Sequence, residues 1–422
     1  MATLTTTLRT APATHPRRAR RPSYPTASLF PIVPPQRGTE PSRPAGNGLV
    51  GIARLAATSP RADARRDVEY FLLPVRSILN RCDSERVPFD WTINPYRGCE
   101  FACRYCYARY THEFMELDPA DFEKKIFVKH DPGPVVSRDL DRLSQPPQHI
   151  AIGTATDPYQ PAERQFGATR AILEQLARRE GLSISITTKS NQVLRDLDLL
   201  KRIASRSALY INITVTTLRP RLARLLEPRA PHPDLRLAAV RALADADLRV
   251  GVFAMPILPG LTDRDPDLEN LVRAARDSGA GWFGASVLFL MPSAARHFLP
   301  FLEEKFPKLA RQYRDFYSRS AYAPEPYRRQ MADRVARLRA KYGLASRPYT
   351  PEAFASTSPQ LPLALAPASA VTPRADSVSP RYPSASRLIP SEARNPSGSG
   401  VMPSAARNLS SSRRSLRSCS AG

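Results

Sequence analysis

Cys99, Cys103 and Cys106 fall within eight positions, in the run Gly98-Cys99-Glu100-Phe101-Ala102-Cys103-Arg104-Tyr105-Cys106, and the remaining two cysteines, Cys82 and Cys419, lie far away. Thiolates at CxxxCxxC spacing are soft ligands, and one short loop can wrap them around a corner of an iron–sulfur cube. Three protein ligands leave one iron of a 4Fe–4S cluster free for a non-protein group. A disulfide framework is excluded by the odd count and the length of the chain. A zinc site needs a fourth donor, and His112, six residues past Cys106, is the local candidate. That alternative describes a zinc-binding nucleic-acid module with basic tails.

The elements that must hold this loop follow from periodicity. Thr92–Tyr96 reads as a strand that Arg97-Gly98 turns into the cysteines. Further apolar runs lie at His149–Thr154, Leu182–Thr188, Leu209–Val215, Val250–Met255 and Trp282–Leu288. Between them come helical patterns through Ala168, Ile172, Leu173 and Leu176, then Val193–Leu200, Leu235–Leu243 and Asp267–Ala275. Six β/α units predict an α/β fold, a partial (β/α)6 barrel with its chemistry at the strand C-termini. Residues 92–290 are expected to form this core. Residues 67–91 would lead into it as a cap, and 291–350 would form a C-terminal helical extension.

The chain ends have another composition. Residues 1–66 hold eleven arginines, no lysine and two acids, and 351–422 hold eight arginines, no lysine and three acids. Both are rich in proline, lack apolar periodicity and are expected to be disordered tails. They carry much of the formal net charge of +23, which suits phosphate backbones through counterion release. No signal-peptide core and no apolar run of membrane-spanning length occurs, so a cytoplasmic protein with no membrane partner is expected. An exposed iron–sulfur site fits that reducing compartment. Nothing in the sequence sets the oligomeric state.

The cysteine spacing, with an aromatic before the last cysteine, resembles the signature of the radical SAM enzymes. That resemblance implies a 4Fe–4S cluster on Cys99, Cys103 and Cys106, with S-adenosylmethionine on the open iron. It also implies reductive cleavage to a 5′-deoxyadenosyl radical that abstracts a substrate hydrogen, and an electron donor of flavodoxin or ferredoxin type. By the same resemblance Thr156 and Asp157, after the second strand, contact the methionine amino group, and Tyr105 lies along the adenine. Lys189, at the end of the third strand, suits the methionine carboxylate. Thr214, Thr216 and Thr217 offer hydroxyls after the fourth, and Met255–Gly260 is an apolar bend able to hold adenine. Tyr107, Tyr110 and Tyr159 are candidates to face substrate, and His112-Glu113 reads as a pair on a helix surface.

Four segments together, Ile93–Cys99, Thr156–Pro161, Thr188-Lys189-Ser190 and Leu226–Pro231, are similar to the radical SAM branch that includes spore photoproduct lyase. The resemblance spans about 90–290 and implies lyase chemistry, with a nucleic-acid lesion as one substrate class. That enzyme quenches its product radical with a cysteine in the barrel. Here no cysteine stands between Cys106 and Cys419, so fold and cofactor carry over while the substrate does not.

Overall fold

The computed structural model describes residues 48–346, apart from 66, 85–86 and 146. The expected C-terminal tail with Cys419 and residues 1–47 lie outside the described residues, but the rest of the expected N-terminal tail is not disordered: Gly51–Thr58 form a helix and Arg61–Arg65 a strand. Eleven strands are present among the described residues: β1 (Arg61–Arg65), β2 (Val68–Leu73), β3 (Leu79–Arg81), β4 (Trp91–Ile93), β5 (Tyr96–Arg97), β6 (Lys125–Lys129), β7 (Ile150–Ile152), β8 (Ser183–Thr188), β9 (Ala208–Thr214), β10 (Val250–Ile257) and β11 (Trp282–Val287).

They make two sheets. The larger runs in the order β11-β10-β9-β8-β7-β4-β3, six parallel strands with β3 antiparallel at the edge. These are the six strands of the expected partial (β/α)6 barrel. Helices cover its outer face, so strands such as β9 are buried along their whole length and read as nearly unbroken apolar runs. The covering helices are Pro132–Asp141, Ala168–Leu176, Leu197–Ala204, Pro233–Asp245 and Asp265–Asp277. Ile172, Leu200, Val240 and Val272 point from these helices into one core with Ile152, Ile186, Ile213 and Val252 from the strands. Pro292–Lys305, Pro307–Phe316 and Glu325–Tyr342 follow β11. Met331 and Val335 of the last one join the barrel core. No helix among the described residues is long and apolar enough to cross a membrane.

The second sheet, in the order β1-β2-β6-β5, has no counterpart in the sequence-based expectation. The strand expected at Thr92–Tyr96 divides here. β4 stays in the barrel sheet, Asn94-Pro95 carries the chain across, and β5 pairs antiparallel with β6. Proline lacks the N–H a continuous ladder would need, which breaks the run. The change of sheet lifts the cysteine loop off the barrel wall and over its mouth. Residues 67–91 likewise supply β2 to the second sheet and β3 to the edge of the first.

Candidate cofactor site

The cysteine loop begins at a turn that requires glycine. Gly98 has φ +84°, and a Cβ there would lie 2.7 Å from the Lys125 carbonyl oxygen and 2.8 Å from that of Phe122. The Cys99 amide donates to the Phe122 carbonyl at 3.0 Å, and that of Cys106 to Cys103 at 3.2 Å. The loop then sinks into an apolar cluster with Leu226, Leu258, Leu290 and Phe298, which together seal this end of the barrel.

All three thiols are free, and Cys99 and Cys103 are buried. Burial pushes Cys99 well above the ordinary thiol value, with Asp157, Cys103 and Cys106 adding repulsion. Burial likewise takes Cys103 to about 12 and raises Cys106. Mutual perturbation places the three in one small space. Buried thiols with no acceptor are poor nucleophiles, but a soft metal centre deprotonates its ligands, so the donor set fits an iron–sulfur cluster. Among the described residues no three Cys, His, Asp or Glu side chains converge on a single ion site. A cube needs no such convergence, because each thiolate binds a different iron.

His112 does not complete a zinc site. It is fully buried rather than on a helix surface, its Nε2 stands 3.0 Å from the Lys125 carbonyl, and its ring meets Phe122 and Phe127 edge-on. Glu113 is on the surface, paired with Arg296 instead of its neighbour.

Two polar networks clamp the loop. On one side, the Glu100 amide donates to Gln160 Oε1 at 2.9 Å, and Gln160 Nε2 donates to the Gly98 carbonyl at 3.2 Å. The Glu100 carboxylate accepts from the Tyr70 hydroxyl at 3.0 Å and the Ala162 amide at 2.7 Å. The Thr156 hydroxyl donates to the Gly98 carbonyl at 2.7 Å. Asp157 is buried and accepts from the Tyr159 amide (2.9 Å), the Thr188 hydroxyl (2.6 Å) and the Lys189 amide (2.7 Å). Burial raises its carboxyl against these bonds. Thr156 and Asp157 therefore meet the cysteine turn and the end of β8, with their side chains committed to protein partners.

On the other side the central group is Glu227, to which the sequence assigned no role. Its carboxylate accepts from the Tyr105 hydroxyl, from Thr216 Oγ1 at 2.8 Å and from Arg236 at 2.6 Å. Burial alone would raise it, but Arg236 and Lys189 hold it down at about 2. Backbone bonds reinforce the junction, from the Arg104 amide to the Leu226 carbonyl (2.9 Å) and from the Arg229 amide to the Phe101 carbonyl (3.3 Å). Lys189 Nζ lies 4.0 Å from Glu227 Oε1 and 5.9 Å over the Tyr105 ring. Burial pulls its pKa down, yet Cys103 and Glu227 leave it raised. Tyr105, Lys189 and Thr216 thus come together beside Cys103. The signal available in the sequence was an acid in an apolar stretch before Pro228.

The other candidates scatter. Thr214 supplies its carbonyl to Arg236 at 3.1 Å, and Thr217 Oγ1 accepts from the Arg219 amide at 3.2 Å. The Tyr107 hydroxyl donates to the Thr154 carbonyl, and its ring stacks on Tyr110. Tyr159 is fully buried in the barrel core and does not face the mouth. Leu258, in the Met255–Gly260 bend, is fully buried under the cysteine loop. Cys82 precedes β4, and its amide donates to the Asp90 carbonyl at 2.7 Å, continuing the β3–β4 ladder. A groove of about 450 Å³ opens beside Thr217 and Arg219, is lined also by Asp267, Asn270 and Arg273, and includes none of the loop cysteines, Lys189 or Glu227.

Comparison with known proteins agrees with this geometry. The model of the radical SAM superfamily matches residues 93–272. An uncharacterized protein of Mycobacterium tuberculosis is 35% identical over 74% of this chain and 93% of its own length. Another, of Methanocaldococcus jannaschii, is 29% identical over 52% of this chain and 77% of its own. Among solved structures, a variant of spore photoproduct lyase superposes with a TM-score of 0.50 at 17% identity, covering 65% of this chain and 79% of that one. The fold shared with it is that of the partial barrel.

Proposed function

The chain belongs to the radical SAM superfamily, and from that premise we propose that Cys99, Cys103 and Cys106 hold a 4Fe–4S cluster beside a bound S-adenosylmethionine. The observation that carries this reading is the group of three thiols on one loop, two of them buried, with the half-buried Lys189 acting on Cys103. When bound, the reduced cluster supplies the electron that splits S-adenosylmethionine into methionine and a 5′-deoxyadenosyl radical able to take a substrate hydrogen.

The protein's own residues bind, orient and exclude water. Lys189, aimed at Cys103, offers its ammonium to the methionine carboxylate. Glu227, fixed by Arg236, keeps the Tyr105 ring upright between two cluster ligands. Thr156 and Asp157 act by holding the Gly98 turn and the end of β8, so that contacts to S-adenosylmethionine from this loop come from its backbone. Thr214 and Thr216 line the same side. Leu290, Met291 and Phe298 keep water from the cluster face.

An electron carrier of flavodoxin or ferredoxin type would reduce the site. The substrate class we propose is a modified nucleic acid, which fits the positive chain and the fold shared with spore photoproduct lyase. Protein purified and reconstituted without oxygen should be brown, absorb near 400 nm, hold about four irons per chain and release 5′-deoxyadenosine from S-adenosylmethionine with dithionite. A colourless, zinc-loaded protein releasing no 5′-deoxyadenosine would refute the reading.

A further inference from the structure

Among the described residues, the second sheet carries two cations that form no ion pair. β5 and β6 pair antiparallel, with Tyr96 opposite Val128 and Arg97 opposite Phe127. The Lys129 amide donates to the Pro95 carbonyl at 3.1 Å, extending that register by one residue. Cross-strand partners share a face, as do residues two apart on one strand. Arg97 and Lys129 are therefore diagonal neighbours on one face, within reach of a common ligand. Beside them on this face Leu73 lies opposite Lys129 on β2 and packs with Phe127 and Met115, while Lys125 and Glu69, further along, are each ion-paired, to Asp121 and to Arg61.

Lys129 is only 6% exposed, and Arg97 is half-buried. Among the described residues neither side chain has a hydrogen bond or an ion pair. The carboxylate that acts on Lys129 is Asp139, and its Oδ2 already accepts from the Ser77 hydroxyl (2.9 Å) and the amides of Ile78 (2.7 Å) and Leu79 (3.1 Å). Burial, with the Arg97 charge second, lowers Lys129 to about 7. Every other strongly buried cation at this end of the molecule has its anion: Arg236 has Glu227, and Arg109 has Glu123 at 2.6 Å. Burying two like charges on an apolar face is costly without a counter-ion.

The position of the pair suggests what the counter-ion is. Arg97 stands two residues before Cys99, and the Tyr110 hydroxyl, pushed up to about 12 by burial, is acted on by both Arg97 and Cys106. We infer that Arg97 and Lys129 form an oxyanion subsite beside the cysteine loop, which takes a phosphate or carboxylate group of the substrate. Its use as a substrate subsite rests on the function proposed above, whereas the anion binding itself does not.

The test uses the full chain and inorganic phosphate, with acetate as a second probe, titrated calorimetrically in enough sodium chloride to screen the arginine-rich ends. One phosphate per chain should bind saturably. Arg97→Gln and Lys129→Met should each weaken it at least tenfold, while Arg337→Gln, an exposed site elsewhere, should leave it unchanged. Phosphate should also raise the melting temperature of the wild-type chain but not that of Lys129→Met. Tighter phosphate than acetate points to a phosphate ester, and the reverse to a carboxylate. Affinity equal in wild type and both variants, or no saturable binding, overturns the inference. A chain with all three loop cysteines replaced should still bind phosphate. Loss of 5′-deoxyadenosine release with phosphate binding intact would therefore count against the cofactor reading alone.

Discussion

Lys189 and Lys129, both largely withdrawn from solvent, have opposite surroundings. Lys189 faces Glu227 at 4.0 Å, within a network that also contains Arg236, Tyr105 and Thr216. Its charge is compensated before any ligand arrives, and its pKa stays raised. Lys129 has Arg97 as its charged neighbour and a carboxylate occupied elsewhere, and its pKa falls to about 7. The difference separates a cation built into a scaffold from one held ready for an anion. A residue of the first kind positions what touches it. One of the second kind destabilises the free protein and is relieved on binding.

The sharpest break removes the thiols beside Lys189. Replacing Cys99, Cys103 and Cys106 together by Ala should abolish iron and all S-adenosylmethionine cleavage while the circular dichroism spectrum stays that of the wild type, since the loop caps the barrel without forming its strands. Stoichiometric iron in the triple variant would contradict the assignment. Next in size is Glu227→Ala, which leaves the buried Arg236 and the half-buried Lys189 without their anion. It should cost about 3–5 kcal/mol in denaturant unfolding. A cost below about 1 kcal/mol, the range of exposed pairs, would mean that the compensated side is not compensated by Glu227. Lys189→Ala should leave the cluster in place and weaken S-adenosylmethionine by about tenfold to a hundredfold, the worth of a charge-assisted bond. Unchanged affinity by calorimetry on the reconstituted protein would make Lys189 purely structural.

What the sequence disclosed, and what it hid, follows the range of the contacts involved. The parallel strands were legible because burial on both faces leaves runs such as Ala208–Thr214 with little polarity to confuse them. The cysteine loop was legible because its ligands are local. The second sheet was not, because β2 pairs with β6 across some fifty residues and β5 is two residues long, too short for any periodicity. Glu227 was visible as an acid before a proline, but its partner Tyr105 lies 122 residues away. Lys129, at the end of Lys125-Ile126-Phe127-Val128-Lys129, looks like the solvated end of a strand. Only the change of sheet at Asn94-Pro95 brings Arg97 beside it and turns an ordinary lysine into half of an anion site.

The smallest effect tests that last point most directly. In the unfolded chain Lys129 titrates near the ordinary lysine value of about 10.4, and in the folded chain near 7. Between these values the unfolded state binds the extra proton, so stability must rise with pH across that window and level off below it. Arg97 and Asp139 are the charged groups acting on Lys129, and both are retained in Lys129→Met. From pH 6 to 8 the wild-type chain should gain about 1 kcal/mol relative to Lys129→Met, a variant with no group to titrate. Saturating phosphate should flatten the difference, because a bound oxyanion favours the charged lysine in the folded state. A wild-type curve parallel to that of Lys129→Met would mean that Lys129 stays charged at neutral pH, compensated by something other than a ligand. The contrast between the two lysines would then be one of position alone.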